Sequence, residues 1–278
     1  MAIHRVTPSL PAVLINGLLL GLATVTLFPL VWMVAVSLMS PGEASTFPPP
    51  LVPGRPTFAN YRELFAHAGM GRYLFNSAML ASVVTLVSLF FNVAAGYGFA
   101  KLRFAGRDRI FKLLLAALVI PSQVAMVPLF LLLKHLGLVN TYGGVIVPAM
   151  ASIFGIFVVR QYALSIPDEL LEAARIDGAS EFRIFWSVIV PVIRPIIVTL
   201  AVFTSLGAWN DFMWPLIVLG DSDLYTLPVA LASLSREHVQ DNELMMAGSV
   251  LTILPVLLVF LVLQRYYMQG LMLGSVKE

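Results

Sequence analysis

Long apolar stretches alternate with short charged segments along the whole chain. Six of these stretches are close to or above the length of about 20 residues that a helix needs to cross the hydrocarbon core of a bilayer. They are Pro11–Met39, Tyr73–Ala100, Leu113–Leu133, Tyr142–Val159, Val188–Leu219 and Leu244–Gln264. The pattern predicts an all-α integral membrane protein, with residues 1–278 forming a single transmembrane domain of six helices.

The composition supports a bilayer as the solvent. Hydrophobic residues make up 59% of the chain and charged residues only 12%, with a mean hydropathy of +0.90. Soluble domains carry about 25% charged residues. No Asp, Glu, Lys or Arg occurs from Val6 to Gly42, whereas the apolar region of a cleaved signal peptide is about 7–15 residues long. The first stretch is therefore predicted to be a retained span.

Lysine and arginine positions indicate the orientation of the spans. If the N-terminus is cytoplasmic, twelve of the 17 basic residues fall in segments on the cytoplasmic side, as the positive-inside rule requires. Both termini are then cytoplasmic. External loops are predicted at about 40–72 and 220–243, and a cytoplasmic loop at about 161–187.

The cytoplasmic loop contains the polar sequence SIPDELLEAARIDGASEFRIFW, residues 165–186. It predicts two short helices around Gly178, which can adopt the left-handed conformation that ends a helix. Ser165 with Asp168 is typical of a capping box, and Ser180 can cap the second helix. Two interpretations stay open on physical grounds: a helix pair lying on lipid headgroups, or a surface that docks onto another protein.

Within this loop Glu-Ala-Ala is followed after three residues by glycine, and after nine more by an aliphatic-x-aliphatic-Pro sequence. This spacing resembles the EAA motif of ABC-importer permeases, with Val188 and Val190 in place of the usual Ile and Leu. The resemblance implies that the loop is a coupling helix that docks onto a cytoplasmic ATPase subunit. The residues to which it assigns this role are Glu172, Ala173, Ala174, Arg175, Asp177, Gly178 and Pro191.

Other segments extend the resemblance to the carbohydrate-uptake branch, and in particular to the smaller permease of maltose-type importers. They are NYRELF at 60–65, GLVNTYGGVIVP at 137–148, WNDFMWPLIV at 209–218 and GLMLGSVKE at 270–278. The resemblance implies a sugar or oligosaccharide substrate and a location in the cell inner (plasma) membrane. It implies three kinds of partner: a homologous second permease, an ATPase dimer that holds ATP and Mg, and a periplasmic or extracellular solute-binding protein. It also implies contact between the tail Gly274–Glu278 and the ATPases.

Two further groups of residues are candidates with open roles. Asp211 is the one charged residue between Arg194 and Asp221, and ionisable groups inside spans are commonly functional. With Trp209 and Asn210 it is predicted either to anchor the outer end of the fifth span or to line the transport path or its outer rim. Gly96 and Gly98 are predicted to permit close helix packing, with a gate hinge as the alternative.

The remaining chemistry is sparse. No GxxxxGK[ST] phosphate-binding loop occurs, so ATP hydrolysis is expected on a separate subunit and no cofactor is expected here. The four histidines are scattered and the chain has no cysteine, which disfavours metal sites. Basic residues follow loops, which argues against nucleic-acid binding. The alternatives are an ion-coupled secondary transporter of a small polar solute, a membrane enzyme and a non-transporting assembly subunit.

Overall fold

The computed structural model describes residues 10–237 and 241–273, and within these ranges it contains helices and no strands. The helices of the first half are α1 (Leu10–Ser37), α2 (Ala59–Ala66), α3 (Met70–Lys101), α4 (Arg107–Ala117), α5 (Ser122–His135), α6 (Tyr142–Ala149) and α7 (Ile153–Leu164). Those of the second half are α8 (Asp168–Ile176), α9 (Glu181–Ile184), α10 (Val190–Val192), α11 (Arg194–Asn210), α12 (Met213–Val218), α13 (Leu227–Glu237) and α14 (Asn242–Leu273). A π-helical turn, Phe185–Ile189, joins α9 to α10.

The all-helical membrane class is confirmed. Four segments are long and apolar enough to cross a bilayer: Leu14–Ser37, Met70–Lys101, Tyr142–Leu164 and Asn242–Val262. Two bent helix pairs meet the same criterion, Arg107–Ala117 with Ser122–His135 and Glu181–Val192 with Arg194–Asn210. The count over the described residues is six if each bent pair crosses once.

Two predicted spans are sharply bent and are therefore wrong as straight single helices. The third, expected over Leu113–Leu133, breaks between α4 and α5, whose axes turn by 108°. Pro121 at the break has no backbone N–H and disfavours a helical residue before it. The fifth, expected over Val188–Leu219, bends by 79° between α10 and α11 and ends at Asn210.

The described residues group into two compact units, and the first consists of Met1–Gly69 with Ser233–Leu254. In this unit the Asn60 side chain donates to the backbone oxygens of Ser37, at 3.0 Å, and Met39, at 2.9 Å. Glu243 is fully buried, and its Oε1 accepts a hydrogen bond from the Ala44 amide at 2.7 Å. These buried polar side chains hold the chain that leaves α1 in a defined path.

The second unit, Met70–Ala232 with Pro255–Glu278, is organised by α3, which packs along α7 and α11. Its apolar core reaches from the membrane segments into the α8–α9 loop. The core residues are Val93, Tyr97, Val159, Ile166, Leu171, Ile184, Ile189, Ile193 and Leu200. The α8–α9 loop is therefore packed against the helices through a shared apolar core.

Gly96 and Gly98 differ in their surroundings although they are two residues apart on α3. A Cβ on Gly96 would lie 2.5 Å from Val159 Cγ1 and 3.1 Å from the Arg160 amide nitrogen. A Cβ on Gly98 would meet nothing within 4 Å in the described part of the chain. Close packing is thus confirmed for Gly96 and wrong for Gly98.

Asn92 stabilises the break between α6 and α7. Its Oδ1 accepts a hydrogen bond from the Ser152 amide at 2.9 Å, and its Nδ2 donates to Ser88 Oγ at 3.0 Å. Ser152 Oγ in turn caps α7 by accepting from the Gly155 amide at 2.9 Å. Backbone groups freed inside a membrane segment need such partners, because lipid offers none.

Asn76 connects the N-terminal part of α3 to the segment after α12. Its Nδ2 donates to the carbonyl oxygens of Asp223, at 2.9 Å, and Tyr225, at 3.0 Å. Tyr142 Oη donates to Asn76 Oδ1 at 2.8 Å, and Arg72 forms an ion pair with Asp223. The segment after α12 is thereby attached to α3 and α6.

Candidate functional site

The predicted helix–glycine–helix unit is present as α8, Gly178 and α9. Gly178 has φ +82°, the left-handed conformation that glycine adopts at least cost, and Ser180 Oγ accepts a hydrogen bond from the Arg183 amide at 3.3 Å. The capping-box prediction is wrong: the residue before α8 is Pro167, and Ser165 Oγ donates to Tyr162 O at 2.7 Å. The Asp168 carboxylate is engaged elsewhere.

Lys101, the last residue of α3, holds the start of α8. Its side chain is only 5% exposed, and its Nζ lies 2.6 Å from Asp168 Oδ1 and 2.6 Å from the carbonyl oxygen of Ile166. The ammonium group lowers the pKa of Asp168, chiefly through this hydrogen bond. The Asp168 carboxylate therefore stays ionised to a lower pH than an ordinary aspartate.

Glu181 joins three elements at the other end of the loop. Arg175 Nε on α8 lies 2.7 Å from Glu181 Oε1, and Tyr97 on α3 donates from its hydroxyl to Oε2 at 2.9 Å. The hydrogen bond between Arg175 and Glu181 raises the pKa of Arg175. Arg175 thus bonds Glu181 across the turn and not an acid of its own helix.

The two faces of α8 have opposite characters. Leu171 is 1% exposed in the core, and Ala174 is half-buried against it. The outer face is open: Glu172, Ala173, Asp177 and Gly178 are exposed, as are the apolar side chains Leu170, Ile176 (86% exposed) and Phe182 (73% exposed). We call these seven exposed residues the α8 surface.

A cleft of about 930 Å³ runs beside the α8 surface. It lies between the inner end of α3, the segment 102–107 and α8, and its lining includes Arg103, Arg107 and Arg175 together with Glu172. The α8 surface contributes exposed apolar side chains and the acids Glu172 and Asp177, and the cleft beside it adds positive charge. Such a mixture is typical of a surface that binds another protein.

Pro191 lies apart from these contacts. Pro191 is an exposed residue of α10. The tail Gly274–Glu278 lies outside the described residues, as do His4 and His238. The roles of Lys101, Tyr97 and Glu181 were not predicted from the sequence. The feature that could have indicated them is position: Glu181 lies within the charged loop, and Tyr97 and Lys101 lie at the predicted cytoplasmic end of the second span.

We expect Lys101→Met to loosen the α8 loop much more than Asp168→Asn. Lys101→Met leaves the Ile166 carbonyl without its partner, a loss of about 1–3 kcal/mol for a buried group. Asp168 is largely exposed, and exposed ion pairs contribute little. Limited trypsin cleavage after Arg175 should be at least about fivefold faster in Lys101→Met than in the wild type, because cleavage follows local opening. Equal rates in the two variants would contradict the tether.

The outer candidates Trp209, Asn210 and Asp211 do not converge on one site. Trp209 lines an apolar groove of about 580 Å³ between α3, α11 and α14. The Asn210 side chain donates to Leu206 O at 2.9 Å on its own helix. Asp211 follows the end of α11, and its Oδ1 accepts from the Trp214 amide at 3.4 Å.

The groove that contains Trp209 is poor in available polar groups. Among its lining residues, Thr85 donates to Ala81 O and Ser205 donates to Val202 O, each within its own helix. Ser82 is the other hydroxyl of the lining. A sugar site needs polar groups that point at the ligand. The groove therefore matches an apolar surface better than a sugar.

The family model described as "Binding-protein-dependent transport system inner membrane component" matches residues 92–272. AraQ of Halalkalibacterium halodurans, an arabinooligosaccharides transport system permease protein, is 39% identical over 263 residues, which cover 92% of this chain and 93% of the relative. LacG of Rhizobium radiobacter, a lactose transport system permease protein, is 35% identical over 273 residues, covering 96% and 97%.

A solved structure shares the fold. A chain of a bacterial ABC transporter involved in the import of the acidic polysaccharide alginate superposes with a TM-score of 0.82 at 24% sequence identity. The match covers 91% of this chain and 95% of that chain.

Proposed function

Because this chain belongs to the family of binding-protein-dependent transport system inner membrane components, we propose that it is the permease subunit of an ATP-driven ABC importer and that α8 is its coupling helix. The observation that carries the proposal is the contrast between the two faces of α8. The inner face is fixed by Leu171, Lys101 and Glu181, while Ile176 and Phe182 face outward.

The anchoring makes α8 suitable for transmitting movement. Lys101 ties its first residue to the end of α3, and Tyr97 reaches Glu181, which also bonds Arg175. A displacement of α8 by a partner therefore acts on α3 directly. In our proposal, ATP-driven closure of the partner ATPases moves α8 and shifts the permease between inward-open and outward-open states, two conformations with different affinity for the partners.

The proposed assembly contains this chain and a homologous second permease as the two halves of the pathway, with an ATPase dimer on the α8 side. ATP and Mg belong to the ATPases. A solute-binding protein delivers substrate at the opposite membrane face, and both termini of this chain are cytoplasmic. The distribution of lysine and arginine supports this orientation.

The substrate proposed is a sugar or oligosaccharide. The support is the similarity to AraQ and LacG, whose names specify arabinooligosaccharides and lactose. UgpE of Pectobacterium atrosepticum, an sn-glycerol-3-phosphate transport system permease protein, is 32% identical over 262 residues. The shared chemical class is a hydroxyl-rich solute. The comparisons give no support to an ion-coupled secondary transporter.

Copurification tests the docking role of α8. The tagged chain is extracted from its native membrane as wild type, as the double variant Ala173→Asp with Ile176→Asp, and as the control Leu51→Asp, which places an acid at an exposed leucine of the external loop. The wild type and the control should bring down an ATPase and a second permease. The amount of ATPase that copurifies with the double variant should be at least about tenfold lower than with the wild type, because two desolvated charges oppose an apolar contact.

Two outcomes count against the proposal. Full recovery of the ATPase with the double variant removes α8 as the docking helix. Recovery of the chain alone in every sample, with uptake driven by an ion gradient instead of ATP, favours the secondary transporter.

A further inference from the structure

The segment 101–112 carries cations that the fold does not use. It contains five basic residues and one acid, Asp108. Lys101 is committed to Asp168, and Arg107 bonds Asp108 and the Leu102 carbonyl oxygen. The other three basic residues, Arg103, Arg109 and Lys112, are exposed and make no hydrogen bond or ion pair within residues 10–237 and 241–273.

Apolar side chains are exposed between these cations. Phe104 and Ile110 are nearly half exposed, and Leu113 is 71% exposed. The opposite side of α4 faces the protein: the Phe111 ring lies 5.4 Å from the Phe99 ring, and the Arg160 guanidinium lies 4.1 Å from its centroid. α4 is thus amphipathic, with a packed face and an outer face that mixes cations with aliphatic groups.

The direction of α4 is unlike that of a crossing helix. Its axis turns by 108° relative to α5, so a membrane normal that runs along α5 places α4 roughly parallel to the membrane surface. Its depth agrees: Phe111 packs against Phe99 and Arg160, which lie near the inner ends of α3 and α7. α4 therefore lies where the hydrocarbon core meets the headgroups.

We propose that α4 is an interfacial helix that binds anionic phospholipid headgroups of the inner-side leaflet. A hollow of about 540 Å³ at its start is lined by Arg103, Arg107, Asp108 and Arg109. Asp108 pairs with Arg107, and Arg103 and Arg109 are left to receive a phosphodiester. Leu113 and Ile110 enter the acyl boundary beside it. Unpaired cations next to exposed aliphatic groups on a helix parallel to the surface are the features of membrane-surface binding. Only the identity of the leaflet rests on the orientation proposed above.

Charge-matched variants test the proposal by native mass spectrometry of the full chain, with whatever subunits copurify. The test variant is Arg103→Gln, Arg109→Gln and Lys112→Gln. The control, Arg55→Gln, Arg62→Gln and Lys134→Gln, removes the same charge from segments beyond the other ends of the spans. Phosphatidylglycerol should bind in preference to phosphatidylcholine in the wild type and the control. The test variant should lose about tenfold of this preference, since each cation contributes to attraction for anionic lipid.

Four results would overturn the proposal. Equal binding of the two lipids by the wild type would show that there is no headgroup preference. An equal loss of the preference in the test and control variants would show that α4 is not its site. Loss of the ATPase from the test variant with lipid binding unchanged makes the surface a subunit interface. Soluble glycerol phosphate distinguishes a lipid headgroup from a free phosphate as the ligand. Displacement of lipid by glycerol phosphate at millimolar concentration would identify a free-phosphate site instead of a membrane contact.

A depth measurement provides an independent readout. The chain has no cysteine, so Leu113→Cys takes a single environment-sensitive fluorophore after reconstitution in vesicles containing phosphatidylglycerol. Spin-labelled lipids should quench it and aqueous iodide should not. Phe47→Cys, fully exposed in the external loop, is the water-exposed control. Quenching of Leu113→Cys by iodide alone would show that α4 is not in the membrane.

Discussion

Gly178→Val is expected to reduce ATP-driven uptake at least about tenfold, whereas Gly178→Asn retains most of it. Gly178 has φ +82°, and a Cβ there meets no atom within 4 Å. Space for a side chain is therefore available, and the two substitutions differ only in how well they tolerate the backbone conformation of Gly178. The left-handed region costs an L-residue about 1–2 kcal/mol, more for a β-branched one, while asparagine tolerates it best.

The physical consequence of Gly178→Val is a change in the angle between α8 and α9. Ser180 then no longer caps α9 in its present geometry, and the Arg175–Glu181 bond is disturbed. ATP hydrolysis and uptake are measured together in proteoliposomes with the complete transporter. Hydrolysis that continues while uptake falls identifies uncoupling.

The comparison of valine with asparagine separates two explanations. Equal and strong losses in both variants would mean that any side chain at this position blocks the partner, so the docking contact and not the turn decides. Full activity of Gly178→Val would refute the role of this turn in coupling.

Gly96→Ala is expected to destabilise the folded chain by about 3 kcal/mol, the upper end of the range for overpacking a core. A Cβ on Gly96 would lie 2.5 Å from Val159 Cγ1 and 2.6 Å from Val159 Cβ, and Val159 is fully buried. The helices α3 and α7 must separate to admit it. Thermal unfolding in detergent and the yield of folded protein measure the effect.

Gly98→Ala is the matched control on the same helix. Because nothing lies within 4 Å of its Cβ, the variant should be as stable as the wild type or up to about 1 kcal/mol more stable, the difference in helix propensity. Equal destabilisation of the two variants would remove the packing explanation. Normal stability with lost uptake in Gly98→Ala would support the hinge alternative for that residue.

Local chemistry explains which features of the loop were predictable. A glycine between two short helical patterns requires a left-handed residue, and Gly178 and Ser180 behave as expected. The capping box failed because the Asp168 carboxylate is bonded by Lys101, 67 residues away in sequence. Arg175 likewise bonds Glu181 instead of Glu172. Competition from tertiary partners is invisible in a local pattern.

Apolar length and basic-residue distribution were sufficient to predict a helical membrane protein, because lipid requires every backbone hydrogen bond to be made within the spanning segment. The spacing of Glu172, Gly178 and Pro191 was sufficient to indicate the family. Only the tertiary structure determined that α4 turns by 108° from α5, that Gly96 but not Gly98 touches a neighbouring helix, and that Asn92 bonds the break at Ser152. These features depend on which helices pack against each other, and the sequence pattern of a single helix does not specify its packing partner.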